Sequence, residues 1–279
     1  MSDGSLRDRI ERAAASGARG KDAESVVEEL LVALESGQLR SAEKTDTGEW
    51  RAVPWVKRGI LLGFQAGTLT DMSTDKSVFR FFDKHTYPPR AFTIHDGVRV
   101  VPGGSAIRRG AYVAPGVVCM PPMYINVGAH VGTGTMVDSH ALVGSCAQVG
   151  ERVHLSAAAQ IGGVLEPVNA SPVVVEDDVI VGGNCGIYEG TVVRTGAVIG
   201  AGVVLTRGTP VFDLVNEKVY RGSAEKPLEI PSNAVVVPGA RKVSSSWGMS
   251  EGLSLQTPVI VKYRDDKTDS ATALEGWLR

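Results

Sequence analysis

The chain has 279 residues, with 29 Lys plus Arg against 31 Asp plus Glu, a formal net charge of −2. That balance excludes a polyanion-binding surface as its main feature, and no apolar run approaches the ~18 residues of a membrane span. Three cysteines (Cys119, Cys146, Cys185) without a CxxC pair exclude a disulfide framework and a zinc ribbon.

The N-terminus is charged and has no apolar core of a secretory signal, so a cytoplasmic protein is expected. Ser5 to Ala15 predicts a short first helix. Asp22 is the expected N-cap of a second, in which Val26, Val27, Leu30, Leu31 and Leu34 recur at helical spacing and Gly37 marks the end. Pro54 is placed to open a third, through Val56, Ile60 and Leu61. Val78–Phe82 and Val98–Val101 read as strands. Residues 1–104 are therefore expected to form a small mixed, mainly helical domain.

From Ile107 the period changes. Every sixth residue is aliphatic or Cys: Ile107, Val113, Cys119, Ile125, Val131, Val137, Val143, Val149, Leu155, Ile161. After a break at 166–172 (EPVNASP) the series resumes at Val175, Val181, Ile187, Val193, Ile199, Leu205 and Val211. Small residues recur at the corners, Gly132, Gly144, Gly150, Gly162, Gly182 and Gly200 among them, in a chain with 33 glycines. A period of six fits neither a helix nor a hairpin. It fits a coil of three short, flat sides, each pointing one large aliphatic inward. Residues eighteen apart then stack at ~4.8 Å, and nearly six coils give a prism ~25–30 Å tall. The fold class is mainly β: a parallel β-helix over 105–240 with an insertion loop near 166–172, then a short C-terminal extension over 241–279. Whether the polar tail after Arg264 forms a helix stays open. Val118, Val192, Ala201 and Val204 sit outside the inward slots and suggest sides that pack against further copies.

Several stretches resemble the tetrahydrodipicolinate N-succinyltransferase family: SGQLRSAEK (36–44), FFDKH (81–85), GVRVVPG (97–103), GTMVDSHALVGSCAQVGERVHLS (134–156), IGGVLEP (161–167) and YEG (188–190). The likeness runs from about residue 30 to about residue 263. It implies a left-handed parallel β-helix, a homotrimer with sites in clefts between neighbouring prisms, and succinyl-CoA as acyl donor. The acceptor it implies is the amine of L-2-amino-6-oxopimelate, a small dicarboxylate amino acid. The amine would attack the thioester directly while a carboxylate removes its proton. Neither a metal, a nucleic acid nor a membrane is expected to take part.

Carried over residue by residue, the resemblance assigns Asp138 as the catalytic carboxylate, with a part in substrate binding. Arg99 is assigned to substrate binding, since its planar fork suits a carboxylate. Ser145 is assigned as a polar contact for substrate, and Gly163 as backbone contact for the CoA arm. Better-known members place a second active-site glutamate three residues before the one in the EG pair. Here that position is Gly186, and Glu189 remains as the second catalytic candidate, with Glu166 and Glu176 as fallbacks. Arg241 and Lys242, near the end of the prism, are candidates for the CoA phosphates.

Each assignment has a structural alternative: Asp138 as a backbone-capping corner residue, Glu189 as a solvated acid, Arg99 as a surface ion-pair residue, Arg241 and Lys242 as a solvated basic pair. Cys146 is a weak nucleophile candidate because direct amine attack needs none. A three-histidine metal site is the rival within this architecture. His130, His140 and His154 stand 10 and 14 residues apart and so miss a common ladder. Two further readings remain: a same-fold N-acyltransferase using acetyl-CoA or another amino-acid acceptor, and a non-catalytic β-helix module.

Overall fold

A computed structural model describes residues 4–74, 78–223 and 226–265. The helical part is built from α1 (Leu6–Ser16), α2 (Lys21–Glu35) and α3 (Pro54–Ala66). Ser5 caps α1 with a reciprocal Ser5–Asp8 pair, and Pro54 stands at the start of α3. The cap of α2 differs from expectation. Gly20 holds that position without a side-chain bond, and Asp22 lies in the first turn. There its charge faces the positive end of the helix. Gly37 follows α2 at φ +76° and returns its N–H to Leu34, as a terminating glycine does. Ile10, Val27, Leu30, Leu31, Leu34, Val56, Ile60 and Leu62 close a core among the three helices.

The six-residue period becomes three flat faces of two-residue rungs. Face A stacks Tyr112–Val113, His130–Val131, Gln148–Val149, Val174–Val175, Val192–Val193 and Glu229–Ile230. Face B stacks Arg99–Val100, Val118–Cys119, Met136–Val137, His154–Leu155, Ile180–Val181, Val198–Ile199 and the long strand Ala234–Lys242. Face C stacks Ala106–Ile107, Tyr124–Ile125, Leu142–Val143, Gln160–Ile161, Gly186–Ile187 and Val204–Leu205. All these rungs pair in parallel, most at the eighteen-residue step, as His130 with Gln148 and Met136 with His154, while Arg99 pairs with Val118 one residue further on. The inward aliphatics form one continuous core.

Two excursions interrupt the step. Gln148 pairs with Val174, 26 residues on, so eight residues loop out before Val174, where the EPVNASP break lies. Val192 pairs with Glu229, so a longer excursion follows Leu205. Val211 belongs to that second excursion and is not a rung. Its strand, Val211–Asp213, runs beside Ser254–Tyr263 and extends the sheet of face B beyond the prism. Val211 is nonetheless buried in the core, which is why its spacing imitates the repeat.

Other expectations shift. The strand expected over Val78–Phe82 is Phe82–Lys84, paired with Leu69–Asp71, and Val78, Phe81 and Phe82 are exposed. Arg99–Val100 is already a rung of face B, so the stacked part begins ahead of residue 105. Val118 and Val192 are buried within the single chain, leaving Val204 and Ala201 exposed. Residues 266–279, most of the polar tail, lie outside the described residues.

The helical part is clamped to the prism. Val127 and Cys146 of the C-to-A corner enter the helical core. The Ser41 hydroxyl donates to the Gly128 carbonyl at 2.8 Å, and Arg109 pairs with Glu28 and Glu35. The hairpin Ala42–Lys44/Trp50–Ala52 lies over face A through Glu176. Glu176 accepts bonds from Lys44 (2.9 Å), Trp50 Nε1 (3.0 Å), Arg194 (3.0 Å) and the Thr195 amide (3.1 Å). Burial opposes its charge, but these partners outweigh burial and bring its carboxyl from 4.5 down to about 2. A depressed carboxyl stabilises the fold above its unfolded value and loses that contribution as pH falls toward the folded value. Thermal melts should therefore drop between about pH 4.5 and pH 2. Glu176→Gln should flatten that part of the profile and lower stability near neutral pH.

Candidate active site

Register decides which candidates meet. Val143, Ile161, Ile187 and Leu205 stack on face C. Two residues beyond each, at the C-to-A corner, come Ser145, Gly163, Glu189 and Arg207 in one column. Gly163 fits because its α-carbon faces Ser145 closely: a β-carbon there would lie 2.6 Å from the Ser145 amide. The Val164 amide donates to the Ser145 carbonyl at 3.0 Å, locking the first two levels together. Glu189 adopts φ +54° at the corner, exposed, and accepts from the Arg207 amide at 3.1 Å. The eight-residue excursion folds over this column. Between them lies a cleft of about 620 Å³ lined by Gly162, Gly163, Val164, Glu166, Pro167, Ala170, Tyr188, Glu189 and Arg207.

Asp138 lies elsewhere. It follows the rung Met136–Val137 at the B-to-C corner, half-buried, and its Oδ1 accepts from the Ser139 amide at 2.7 Å. Arg99 is on face B two rungs below Met136, about 10 Å along the axis at ~4.8 Å per rung, and is exposed. Arg241 and Lys242 end the long strand of face B, paired with Leu255 and Ser254. Within one chain the candidates thus form three groups: the C-to-A column, the face-B pair, and the outer hairpin.

The fallbacks separate too. Glu166 lines the cleft, whereas Glu176 is committed to the face-A clamp. Burial pushes the Cys146 thiol up to about 11 and the Cys119 thiol up to about 12, so neither is a ready nucleophile. His130 stacks on Tyr112 on face A at 4.5 Å, and burial followed by the Arg40 charge pushes it down to about 3. His154 is on face B and His140 at the B-to-C corner, so the three histidines do not converge. Among the described residues no group of three or more His, Cys, Asp and Glu is placed to hold a metal, and no helix is long and apolar enough to cross a membrane.

Tyr188 and Arg207 were not singled out from the sequence. Arg207 was legible in principle, standing eighteen residues after Glu189. Tyr188 explains the glycine at 186. Its ring lies across Gly162 and Gly186, and a β-carbon on Gly186 would fall 2.4 Å from the ring. The space where an acid at 186 would project is taken by the tyrosine.

Fold and cleft together define a hexapeptide-repeat β-helix with a groove of about 620 Å³ along one corner. The family description "Tetrahydrodipicolinate N-succinyltransferase N-terminal" fits residues 5–66, and "Hexapeptide repeat of succinyl-transferase" fits residues 172–207. A protein of Paramagnetospirillum magneticum named 2,3,4,5-tetrahydropyridine-2,6-dicarboxylate N-succinyltransferase is 40% identical over 260 residues, 91% of this chain and 89% of that protein. One of the same name from Polynucleobacter asymbioticus is 39% identical over 262 residues, 92% of this chain and 90% of its own. A Campylobacter jejuni crystal structure, provisionally assigned as a 2,3,4,5-tetrahydropyridine-2-carboxylate N-succinyltransferase, shares the fold at TM-score 0.50 and 18% identity. That match covers 85% of this chain and 62% of the other. The chain belongs to the tetrahydrodipicolinate N-succinyltransferase family.

Two alanine substitutions separate yielding from unyielding contacts in the cleft column. Gly186→Ala meets only side-chain atoms, the Cε2 edge of the Tyr188 ring, which can turn away from Gly186, and should change stability by less than about 1 kcal/mol. Gly144→Ala drives a β-carbon to 2.2 Å from the Gly163 amide, where only backbone can give. It should cost about 1–3 kcal/mol in thermal denaturation.

Proposed function

We propose that the chain transfers the succinyl group of succinyl-CoA to the amine of L-2-amino-6-oxopimelate, the ring-opened form of tetrahydrodipicolinate, in the lysine branch of amino-acid synthesis. The observation that carries this reading is identity near 40% over nine-tenths of the chain to proteins bearing that name. The enzyme works in the cytoplasm as a homotrimer. Exposed Phe81, Phe82, Ile94 and Trp247 are the kind of surface that further copies cover.

In this reading the donor lies along the C-to-A column, its arm against the Gly163 backbone and Ser145 near the acyl group. Arg241 and Lys242, contributed from a face-B hairpin, meet its phosphates. Arg99 holds one acceptor carboxylate through its guanidinium. The acceptor amine attacks the thioester carbonyl, Asp138 takes the amine proton, and the tetrahedral intermediate collapses to amide and CoA thiolate, which is then protonated. Glu189 is the second acid in the cleft, oriented by the Arg207 amide. No metal enters the step. Asp138 and Glu189 lie on different corners of one chain, so the complete site takes a face-B edge from one copy and a C-to-A edge from another.

The test is free-thiol release with enzymatically generated tetrahydrodipicolinate, run in parallel with succinyl-CoA and acetyl-CoA. Release with succinyl-CoA, reduced about 10²–10⁴-fold in kcat by Asp138→Asn, is the expected result. Release with acetyl-CoA alone would overturn the donor assignment and point to Tyr188 over Gly186 as the origin of the change. Silence with both would overturn the reaction.

A further inference from the structure

Lys57 lies on α3 with none of its surface exposed. Among the described residues it forms no ion pair. Its Nζ donates instead to the Ala170 carbonyl at 2.6 Å, across 113 residues of sequence. Burying an ammonium without a carboxylate is unfavourable, and a methionine of similar length would fill the same space at less expense to the fold. Stability is therefore a poor account of this lysine, and burial draws its pKa down in keeping with that.

What the contact does is directional. Ala170 belongs to the eight-residue excursion that roofs the cleft, where Ala170 itself and Pro167 line the wall. The turn is closed by the Ala170 amide donating to the Pro167 carbonyl at 3.0 Å. The excursion has one apolar anchor, Leu165, which packs on the same helical core. Lys57 supplies the polar anchor at the opposite end. A two-point attachment fixes the roof relative to Gly163 and Glu189, whereas Leu165 alone would let it swing.

We infer that Lys57 is a positioning residue for acyl-donor binding: by holding the Ala170 carbonyl it sets the width of the cleft between the excursion and the C-to-A column. The inference rests on the donor occupying that cleft, as in the proposed function. Lys57 touches neither donor nor acceptor, so its loss acts on the donor KM and leaves the chemical step nearly intact.

The experiment measures kcat and KM for succinyl-CoA and for the acceptor in wild type, Lys57→Met and Ile60→Val. Ile60→Val loosens the same helical core but leaves the Lys57–Ala170 bond in place. Lys57→Met should melt cooperatively and raise the succinyl-CoA KM about tenfold, equivalent to about 1.4 kcal/mol. Its kcat and acceptor KM should stay within about twofold of wild type, and Ile60→Val should lower the melting temperature with both KM values unchanged. If Lys57→Met does not fold, Lys57→Gln, which keeps a shorter donor, should show a smaller rise in the same parameter. An unchanged succinyl-CoA KM in a folded Lys57 variant would overturn the inference, as would the same rise in Ile60→Val. Loss of thiol release in wild type would instead overturn the proposed function, so the two failures are distinguishable.

Discussion

Stacking at an eighteen-residue step is the constraint on which the other features rest. Each rung is two residues long on a side and has no independent stability; it holds only because rungs above and below pair with it and close the inward aliphatics into one core. The same step converts sequence spacing into columns. Residues far apart in sequence become neighbours along an edge, as with Ser145, Gly163, Glu189 and Arg207. Backbone at the corners then approaches so closely that several positions accept only glycine, Gly144 and Gly163 among them. The cleft is built where an extra stretch of chain leaves this regular lattice and folds back over it.

Much of that was legible, for a physical reason. An inward slot tolerates little besides Ile, Val, Leu or Cys, so the period survives in the sequence. The insertion near 166–172 showed itself as a break in that period. The excursion after Leu205 did not, because Val211 is buried against the same core and falls on the next expected slot. Strand limits outside the prism were poorly marked, since Phe81 and Phe82 look like strand core yet are exposed. Val118 and Val192 looked like interface residues but are covered by their own chain, which no periodicity reveals.

Of the candidate site, the resemblance supplied residue identities and the register supplied their grouping. Glu176 looked like an available acid. Its five bonds, from the Lys44/Trp50 hairpin and from the adjacent Arg194–Thr195 corner, make it a clamp instead. Lys57 carried no sequence signal at all, because its partner is a backbone carbonyl and any residue at 170 would offer one. Tyr188 was hidden for a related reason: the glycines its ring covers at 162 and 186 are indistinguishable from ordinary corner glycines. Acids, bases and their spacing are written in side-chain identity, but contacts to backbone are written only in the fold.

The separation of Asp138 from the Gly163–Glu189 column within one chain makes a shared site the central claim. Mixing two differently disabled copies tests it most directly. Asp138→Asn and Glu189→Arg would each be purified alone and then co-expressed, and thiol release from succinyl-CoA measured per subunit. Activity in the mixed assemblies well above that of either variant alone is the expected result, since some interfaces then pair an intact face-B edge with an intact C-to-A edge. Mixed assemblies no more active than the variants alone, although wild-type copies exchange under the same conditions, would place the whole site within one chain and contradict the reading.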